Sequence, residues 1–266
     1  MGDGPGVAGR RTTWVESEAC TTAAVCEVGI AGCPSWLRMD LRLTDKVALV
    51  TGGARGLGRA ICLALAGEGA RVGVNFRRGP EEAATLVDRI RQAGGEAIAL
   101  RADVTREPEI VALYDALEAE FGPAEILVNN AAACPTGPVH ELTEEVWNQT
   151  FQVNMTGTFL ASKHFVRRLL DRDRRGRIVN ISSQAAFRGS TTGHAPYDAS
   201  KGAIVSFTIA LARELASKGF SVNCVAPGMM LTEMTAGTIQ RNRQKYLDRI
   251  PLGRIGSVEE VADVVA

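Results

Sequence analysis

The chain has 266 residues, 45% hydrophobic and 23% charged, the mixture of a globular protein able to bury a sizeable core in one large domain or two small ones. Its 30 Lys and Arg balance 30 Asp and Glu, so no net charge draws it to nucleic acid or an anionic membrane. No uncharged apolar run approaches the roughly 18 residues that span a bilayer.

Residues 1–38 carry early Gly and Pro, three of the six cysteines and no periodicity. Arg10-Arg11 precede a mildly apolar stretch in the manner of a secretory signal, but Glu16, Glu18 and Glu27 interrupt it. The expectation is an extension that is disordered or not native, with Met39 as the natural start and a single domain over 39–266.

From Lys46 onward, β-rich apolar runs alternate with helical patterns. Strands are predicted at Lys46–Thr51, Arg71–Phe76, Ala97–Leu100, Ile126–Asn129, Arg177–Ser182 and Ser221–Val225. Helices are predicted after Gly52-Gly53 (Leu57, Ile61, Leu65, Ala66), then over Glu81–Ala93, Ile110–Phe121, Glu144–Asn154, Gly157–Asp171 and Tyr197–Ala216. This alternation implies right-handed βαβ units and a doubly wound parallel sheet with helices on both faces, the Rossmann-type α/β architecture. The strand runs are apolar throughout, as in a sheet buried on both sides. Ser257-Val258-Glu259-Glu260 opens a last helix with a capping-box pattern. A doubly wound sheet wants one more strand beyond it, so the sequence reads as C-terminally truncated.

Directly after the first strand stands Thr51-Gly52-Gly53-Ala54-Arg55-Gly56-Leu57-Gly58. Glycines permit the tight turn and close approach of backbone to a pyrophosphate, and the helix N-terminus supplies free N–H groups and a positive dipole end. The spacing matches neither G-x-G-x-x-G nor a P-loop. The second strand ends in Asn75-Phe76-Arg77-Arg78, without the acid that accepts ribose hydroxyls in NAD sites. Arg77, with Arg55 in the glycine loop, suits a 2′-phosphate, so NADP(H) is the expected cofactor; a solvated arginine loop is the competing reading.

After the fifth strand, Tyr197 and Lys201 lie one helical turn apart on a common face. A nearby ammonium favours phenolate, so the pair is expected to lower the tyrosine pKa and make it a proton donor and acceptor. Ser183, in Asn180-Ile181-Ser182-Ser183, leaves the fifth strand at the carboxyl edge of the sheet, where open α/β sheets bind ligands. The cysteines (Cys20, Cys26, Cys33, Cys62, Cys134, Cys224) have no metal-like C-x-x-C spacing, and His140, His164 and His194 form no cluster. Free thiols of a reducing cytosol and no metal are the expectation.

Taken together, TGGARGLG (Thr51–Gly58), Ala102-Asp103-Val104, NNAA (Asn129–Ala132), Asn154, NISS (Asn180–Ser183), YDASK (Tyr197–Lys201) and Pro227-Gly228 with Thr232 resemble the short-chain dehydrogenase/reductase family over about Lys46–Ala266. The resemblance implies a catalytic set of Asn154, Ser183, Tyr197 and Lys201. It implies cofactor contacts from Gly52, Arg55, Gly56, Leu57, Gly58, Arg77, Asp103, Val104, Asn130, Tyr197, Lys201, Pro227, Gly228 and Thr232. By it, Asp103 contacts the adenine, Asn129 steadies the central strands, and Asn154 holds a water in a proton relay with Lys201. Ser183 polarises a carbonyl, Tyr197 protonates its oxygen, and Lys201 binds the nicotinamide ribose. Ala132 stands where the family often has glycine.

Within the family the chain is most similar to the 3-oxoacyl-(acyl carrier protein) reductase group, through Val74–Arg77 and Ile250–Gly256. That implies a cytoplasmic homotetramer or dimer in fatty acid biosynthesis, packed through the helices Gly157–Asp171 and Tyr197–Ala216. It also implies an acyl-thioester substrate and acyl carrier protein as partner, docked at Arg174 and Lys218; a solvated basic turn is the alternative for those residues. Substrate choice is expected in Gln184–Pro196 (Phe187, Arg188, His194) and Met229–Ile250, whose Met229, Met230 and Met234 read as an apolar lining or as core. A sugar or alcohol dehydrogenase of the glucose-dehydrogenase kind, a silent NADP(H)-binding module, and a fragment folding only within an oligomer are the competing readings.

Overall fold

A computed structural model of the chain describes residues 40–266, apart from Met234 and the side chain of Thr238. The expectations for residues 1–38, and Cys20, Cys26 and Cys33 with them, lie outside the described residues. The elements in chain order are β1 (Val47–Val50), α1 (Gly56–Gly67), β2 (Arg71–Phe76), α2 (Pro80–Gln92), β3 (Glu96–Arg101), α3 (Glu107–Phe121), β4 (Ile126–Asn129), α4 (Glu144–Phe151), α5 (Gly157–Leu170), β5 (Arg177–Ile181), α6 (Ala185–Arg188), α7 (Ala195–Leu215), β6 (Ser221–Val225), α8 (Ala236–Leu247) and α9 (Val258–Val265).

The six strands form one parallel sheet in the order β3-β2-β1-β4-β5-β6. Order reverses between β1 and β4, which opens a crevice at their carboxyl ends. Alternate residues of β1 serve opposite cores. Ala48 and Val50 join Ile61 and Leu65 of α1, Leu86 and Ile90 of α2, and Val265 of α9. Val47 and Leu49 join Tyr114 and Leu117 of α3, Phe165 and Leu169 of α5, and Leu215 of α7. The central strands are therefore buried on both faces, as the apolar runs predict. The edges differ: Glu96 and Arg101 of β3, and Ser221 and Asn223 of β6, are exposed, because an outer strand has covering helices over only part of its length.

The predicted capping box is present, with Ser257 Oγ accepting from Glu260 N (3.2 Å) and the Glu260 carboxylate accepting from Ser257 N (2.9 Å). Two helices are additional to the predicted ones. The four residues of α6 are too few to show a period, and α8 buries only Ile239 among its described side chains.

Tyr114 is fully enclosed in the second core, its hydroxyl donating to Ala161 O at 2.8 Å beneath the Arg168 guanidinium. Burial pushes this phenol above its ordinary range, so it has no acid–base use at neutral pH. Tyr114→Phe is expected to cost about 1 kcal/mol, the net worth of one buried hydrogen bond. Chemical denaturation reads that cost, and an unchanged turnover would show that the cost is structural alone.

Candidate active site

The glycine loop leaves β1 at the order reversal and is tied there by side chains. Thr51 Oγ1 accepts from the N–H groups of Asn130 (3.0 Å) and Ala131 (3.1 Å). Asn130 Nδ2 donates in return to the carbonyls of Thr51 (3.0 Å) and Gly52 (3.1 Å). Gly52 and Gly56 adopt φ of +62° and +53°, backbone that glycine takes without strain. At Gly58 a Cβ would stand 2.2 Å from Gly52 O, so the first turn of α1 rests on the loop through a hydrogen atom. That turn has no side-chain cap, and its orphan N–H groups and positive dipole end meet the crevice. Such a cradle fits the pyrophosphate of a dinucleotide.

At the end of β2, Asn75 Oδ1 accepts from Gly52 N (3.2 Å) while its Nδ2 donates to the carbonyls of Leu100 and Ala102. Asn75 is buried and fully engaged, so the groups free for a ribose or its phosphate are the exposed Arg77 and Arg78, with Arg55 exposed at the N-cap of α1. Arg77 reaches Asp103 at 3.4 Å. Burial works to raise the Asp103 carboxyl, but bonds from the N–H and hydroxyl of Thr105, together with the Arg77 charge, outweigh it and hold the group below its usual range. Val104 is buried against Gly157, where a Cβ would meet its side chain at 2.7 Å.

On the far side of the crevice, β5 delivers Ser182 and Ser183, and α7 delivers Tyr197 and Lys201. Ser182 Oγ donates to Lys201 O (2.8 Å) and locks the strand end to the helix. Ser183 stands beside the Tyr197 phenol, where its hydroxyl favours the phenolate, and its Oγ accepts from Ala185 N at 3.1 Å. Lys201 is 2% exposed, with Nζ donating to Ile181 O at 2.7 Å and lying 5.6 Å from the centre of the Tyr197 ring. Burial lowers this ammonium to about 8, against a smaller opposing effect of the Cys224 and Cys134 thiols.

The expected lowering of the tyrosine is not what the site shows. Burial pushes Tyr197 up to about 12, the Ser183 hydroxyl pulling it down only in part while Cys134 and Asp198 add to the rise. The reason is geometric: Lys201 sits by the ring face and is held by a backbone carbonyl, so its charge does little for the phenol oxygen. At neutral pH Tyr197 is therefore a protonated donor.

Asn154 lies in a π-helical turn, Gln152–Thr156, between α4 and α5, a local widening common at functional sites. Its Oδ1 accepts from Ala133 N (2.7 Å), and its Nδ2 donates to Ala133 O and Ser200 Oγ (2.9 Å each). The amide thus clamps the loop after β4 to α7, and Oδ1, with a single donor, keeps its second acceptor site. Asn129, as expected, steadies the central strands, through Ser162 Oγ and Asn180 Oδ1.

The loops after β4 and β5 are sewn together above the phenol. Gly137 N donates to Gly193 O (2.8 Å), and His194 Nδ1 donates to Pro135 O (3.0 Å) with Cys134 Sγ 3.6 Å away. After β6, Pro227 O accepts from Gln184 N (2.9 Å), and Thr232 is close enough to Gly56 that a Cβ there would lie 3.8 Å from it. Glu233 beside it pairs with Arg59 of α1 at 3.3 Å. Glycine loop, Asp103, Ser183, Tyr197, Lys201 and the segment 227–232 therefore border one crevice. A cavity of about 450 Å³ at the opposite edge of the sheet, lined by Asp45, Arg71 and Glu96 among others, contains none of them.

A family model, short chain dehydrogenase, matches residues 46–243. The chain belongs to the short chain dehydrogenase family. Among curated relatives of this dehydrogenase, a 3-oxoacyl-[acyl-carrier-protein] reductase of Synechocystis sp. (strain ATCC 27184 / PCC 6803 / Kazusa) is 40% identical over 84% of this chain and 88% of its own length. Among solved structures, a single-substitution variant of actinorhodin polyketide ketoreductase with NADPH is 39% identical at a TM-score of 0.78, covering 83% of this chain and 88% of that one. A short chain dehydrogenase from Burkholderia cenocepacia in complex with NADP is 35% identical at a TM-score of 0.78, covering 85% and 90%.

Arg174 precedes β5 and Lys218 precedes β6, so both lie at the amino edge of the sheet, across its full width from Ser183. Arg174 is paired with Glu125 at 3.0 Å. A carrier protein held there would face away from the crevice of its own subunit. The sequence names Thr51 and Asn75 only as members of their motifs; the hold of their side chains on the glycine loop and on the loop after β4 is visible only once the sheet brings them together.

Proposed function

We propose that the chain is an NADP(H)-dependent reductase of 3-oxoacyl thioesters in which Ser183, Tyr197 and Lys201 carry the chemistry. The observation behind this reading is the meeting of Ser183, Tyr197 and Lys201 at the carboxyl end of β5, across the crevice from an uncapped glycine-rich helix start. The bound nicotinamide supplies a hydride to the carbonyl carbon. The chain's own residues then serve the oxygen. Ser183 and Tyr197 hydroxyls hold the carbonyl, and the phenol, protonated at neutral pH, gives its proton to the oxygen as negative charge develops there. Lys201, half ionised near pH 8, sits below the ring to bind the ribose and share the returning proton. Gly52, Gly56, Leu57 and Gly58 take the pyrophosphate. Asn130 stiffens that loop, Asp103 and Val104 flank the adenine, and Pro227, Gly228 and Thr232 line the nicotinamide side.

Cofactor choice rests on charge. Arg55 and Arg77 offer guanidiniums to a 2′-phosphate, and no acid ends β2; the NADPH and NADP complexes of two structural relatives agree with that reading. Arg77→Glu is expected to raise the NADPH KM by about 10–100-fold, the worth of one charge-assisted hydrogen bond. NADH kinetics measured in parallel should change far less, and an equal loss with both cofactors would remove the phosphate contact.

The thioester assignment draws on the reductase from Synechocystis and on exposed apolar side chains near the crevice, Phe187 (69%) and Leu231 (58%). Exposed Phe159 on α5 and Ile209 on α7 favour a homo-oligomer packed on those helices, a tetramer in this reading. No helix among the described residues is long and apolar enough to cross a membrane, and a cytoplasmic role in fatty acid biosynthesis completes the proposal. NADPH oxidation with acetoacetyl-CoA tests it. Turnover supports the acyl-thioester reading, whereas a folded, NADPH-binding protein that reduces sugars or simple ketones and not the thioester would overturn it.

Buried Lys201 also makes a stability prediction. Its folded pKa, about 8, lies below the unfolded value near 10.5, so the unfolded chain binds more protons between those values and stability gains with rising pH there. Across pH 8 to 10 the melting temperature of the wild type should rise by at least about 3 °C relative to Lys201→Met. A parallel pH dependence in the two proteins would refute the shift.

A further inference from the structure

Beside the phenol stands a carboxylate to which the mechanism above gives no task. Asp198 lies in the first turn of α7, and its Oδ2 accepts two bonds from Ser190, from the backbone N at 2.6 Å and from Oγ at 2.7 Å. Ser190 belongs to the segment between α6 and α7, which follows Ser183 along the chain and is sewn at Gly193 and His194 to the loop after β4. The other oxygen, Oδ1, is buried without a hydrogen-bond partner. Two donors on one oxygen and none on the other leave much of the charge directed into the protein, where the field of a carboxylate is weakly screened.

We propose that Asp198 is a positioning residue that pins the 184–194 loop to the catalytic helix and keeps a part-buried negative charge at the residue next to Tyr197. The proposal rests on the reading of Tyr197 as proton donor. Asp198 then helps to keep the phenol in the protonated form that carbonyl reduction needs, with the loop held to the helix. The other ionisable groups around the phenol act differently. Lys201 lies on α7 itself and His194 at its start, Cys134 comes from the loop after β4, and Cys224 of β6 lies by Lys201. Ser183, Asn154 and Ser190 carry no charge, while Arg188 of α6 and Glu144 and Glu145 of α4 are exposed. Burial is the largest cause of the high phenol value, with Cys134 and then Asp198 adding to it, and burial likewise leads Asp198 in raising the Cys134 thiol, to about 11.

The test uses the full chain with NADP(H) and three variants. Asp198→Asn keeps the shape and removes the charge, whereas Ser190→Ala keeps the charge and removes one bond. The tyrosine limb of the pH–rate profile, which lies above that of Lys201, should move down by about half a pH unit in Asp198→Asn and stay in place in Ser190→Ala, measured in both reaction directions. Tryptic cleavage after the exposed Arg188 should accelerate about fivefold in both, the equivalent of one lost hydrogen bond. An unmoved limb, or unchanged cleavage, in Asp198→Asn overturns the proposal. Tyr197→Phe separates it from its premise: a Tyr197→Phe enzyme that keeps its turnover means the proton-donor reading itself is wrong.

Discussion

Tyr197→Phe should lower kcat by about 10²–10⁴-fold, the usual share of a positioned general acid, and leave the fold and NADPH affinity nearly unchanged. The substitution removes only the hydroxyl, which lies beside Ser183, and keeps the ring that covers Lys201. Since this phenol is held at about 12, the wild type has its donor in place throughout the neutral range. Steady-state NADPH oxidation, NADPH fluorescence titration and a melting curve on the same preparation provide the check. A variant that retains more than about a tenth of the activity would point to another proton source. Ser183→Ala should fall in the same direction by a smaller factor, because the phenol remains to hold the carbonyl oxygen.

Gly58→Ala should abolish cofactor binding. The new methyl would lie 2.2 Å from Gly52 O and 2.6 Å from Asn130 Nδ2, and both groups belong to the phosphate cradle. Relief requires α1 to lift or the Gly52 carbonyl to swing, and either motion breaks the Asn130 bonds that shape the loop. Overpacking of this kind costs about 1–3 kcal/mol, a fall in melting temperature of about 2–12 °C. NADPH affinity should drop at least about 100-fold, corresponding to roughly 2.7 kcal/mol. Gly67→Ala in the same helix is the control: a Cβ there meets nothing within 4 Å, so it should be neutral or stabilising by up to about 1 kcal/mol. Normal NADPH binding by Gly58→Ala would show that the loop is not the phosphate site.

The sequence alone determined the architecture and the chemistry at short range. Strands Arg71–Phe76, Ile126–Asn129 and Ser221–Val225 occupy the predicted residues, because each is a short β-rich run bounded by glycine or helix signals, most continuously apolar where helices cover both faces. Tyr197 and Lys201 were legible as a pair because four residues make one helical turn.

The rest depends on residues far apart in the chain, or on burial, and a linear pattern carries neither. The sign of the Tyr197 shift is an example: i to i+4 spacing brings the ammonium near the ring, but burial and the hold of Ile181 O on Lys201 decide what the oxygen feels. Asn154 has its partners 21 and 46 residues away, so its clamping of Ala133 to α7 appears only when β4, the π-helical turn and α7 are packed together. The place of Arg174 and Lys218, docking residues by the resemblance, is likewise set by topology: a parallel sheet sends every turn before a strand to one edge and every turn after it to the other. That rule of parallel topology places Ser183, after β5, with the glycine loop, after β1, and leaves Arg174 on the far side with Glu125.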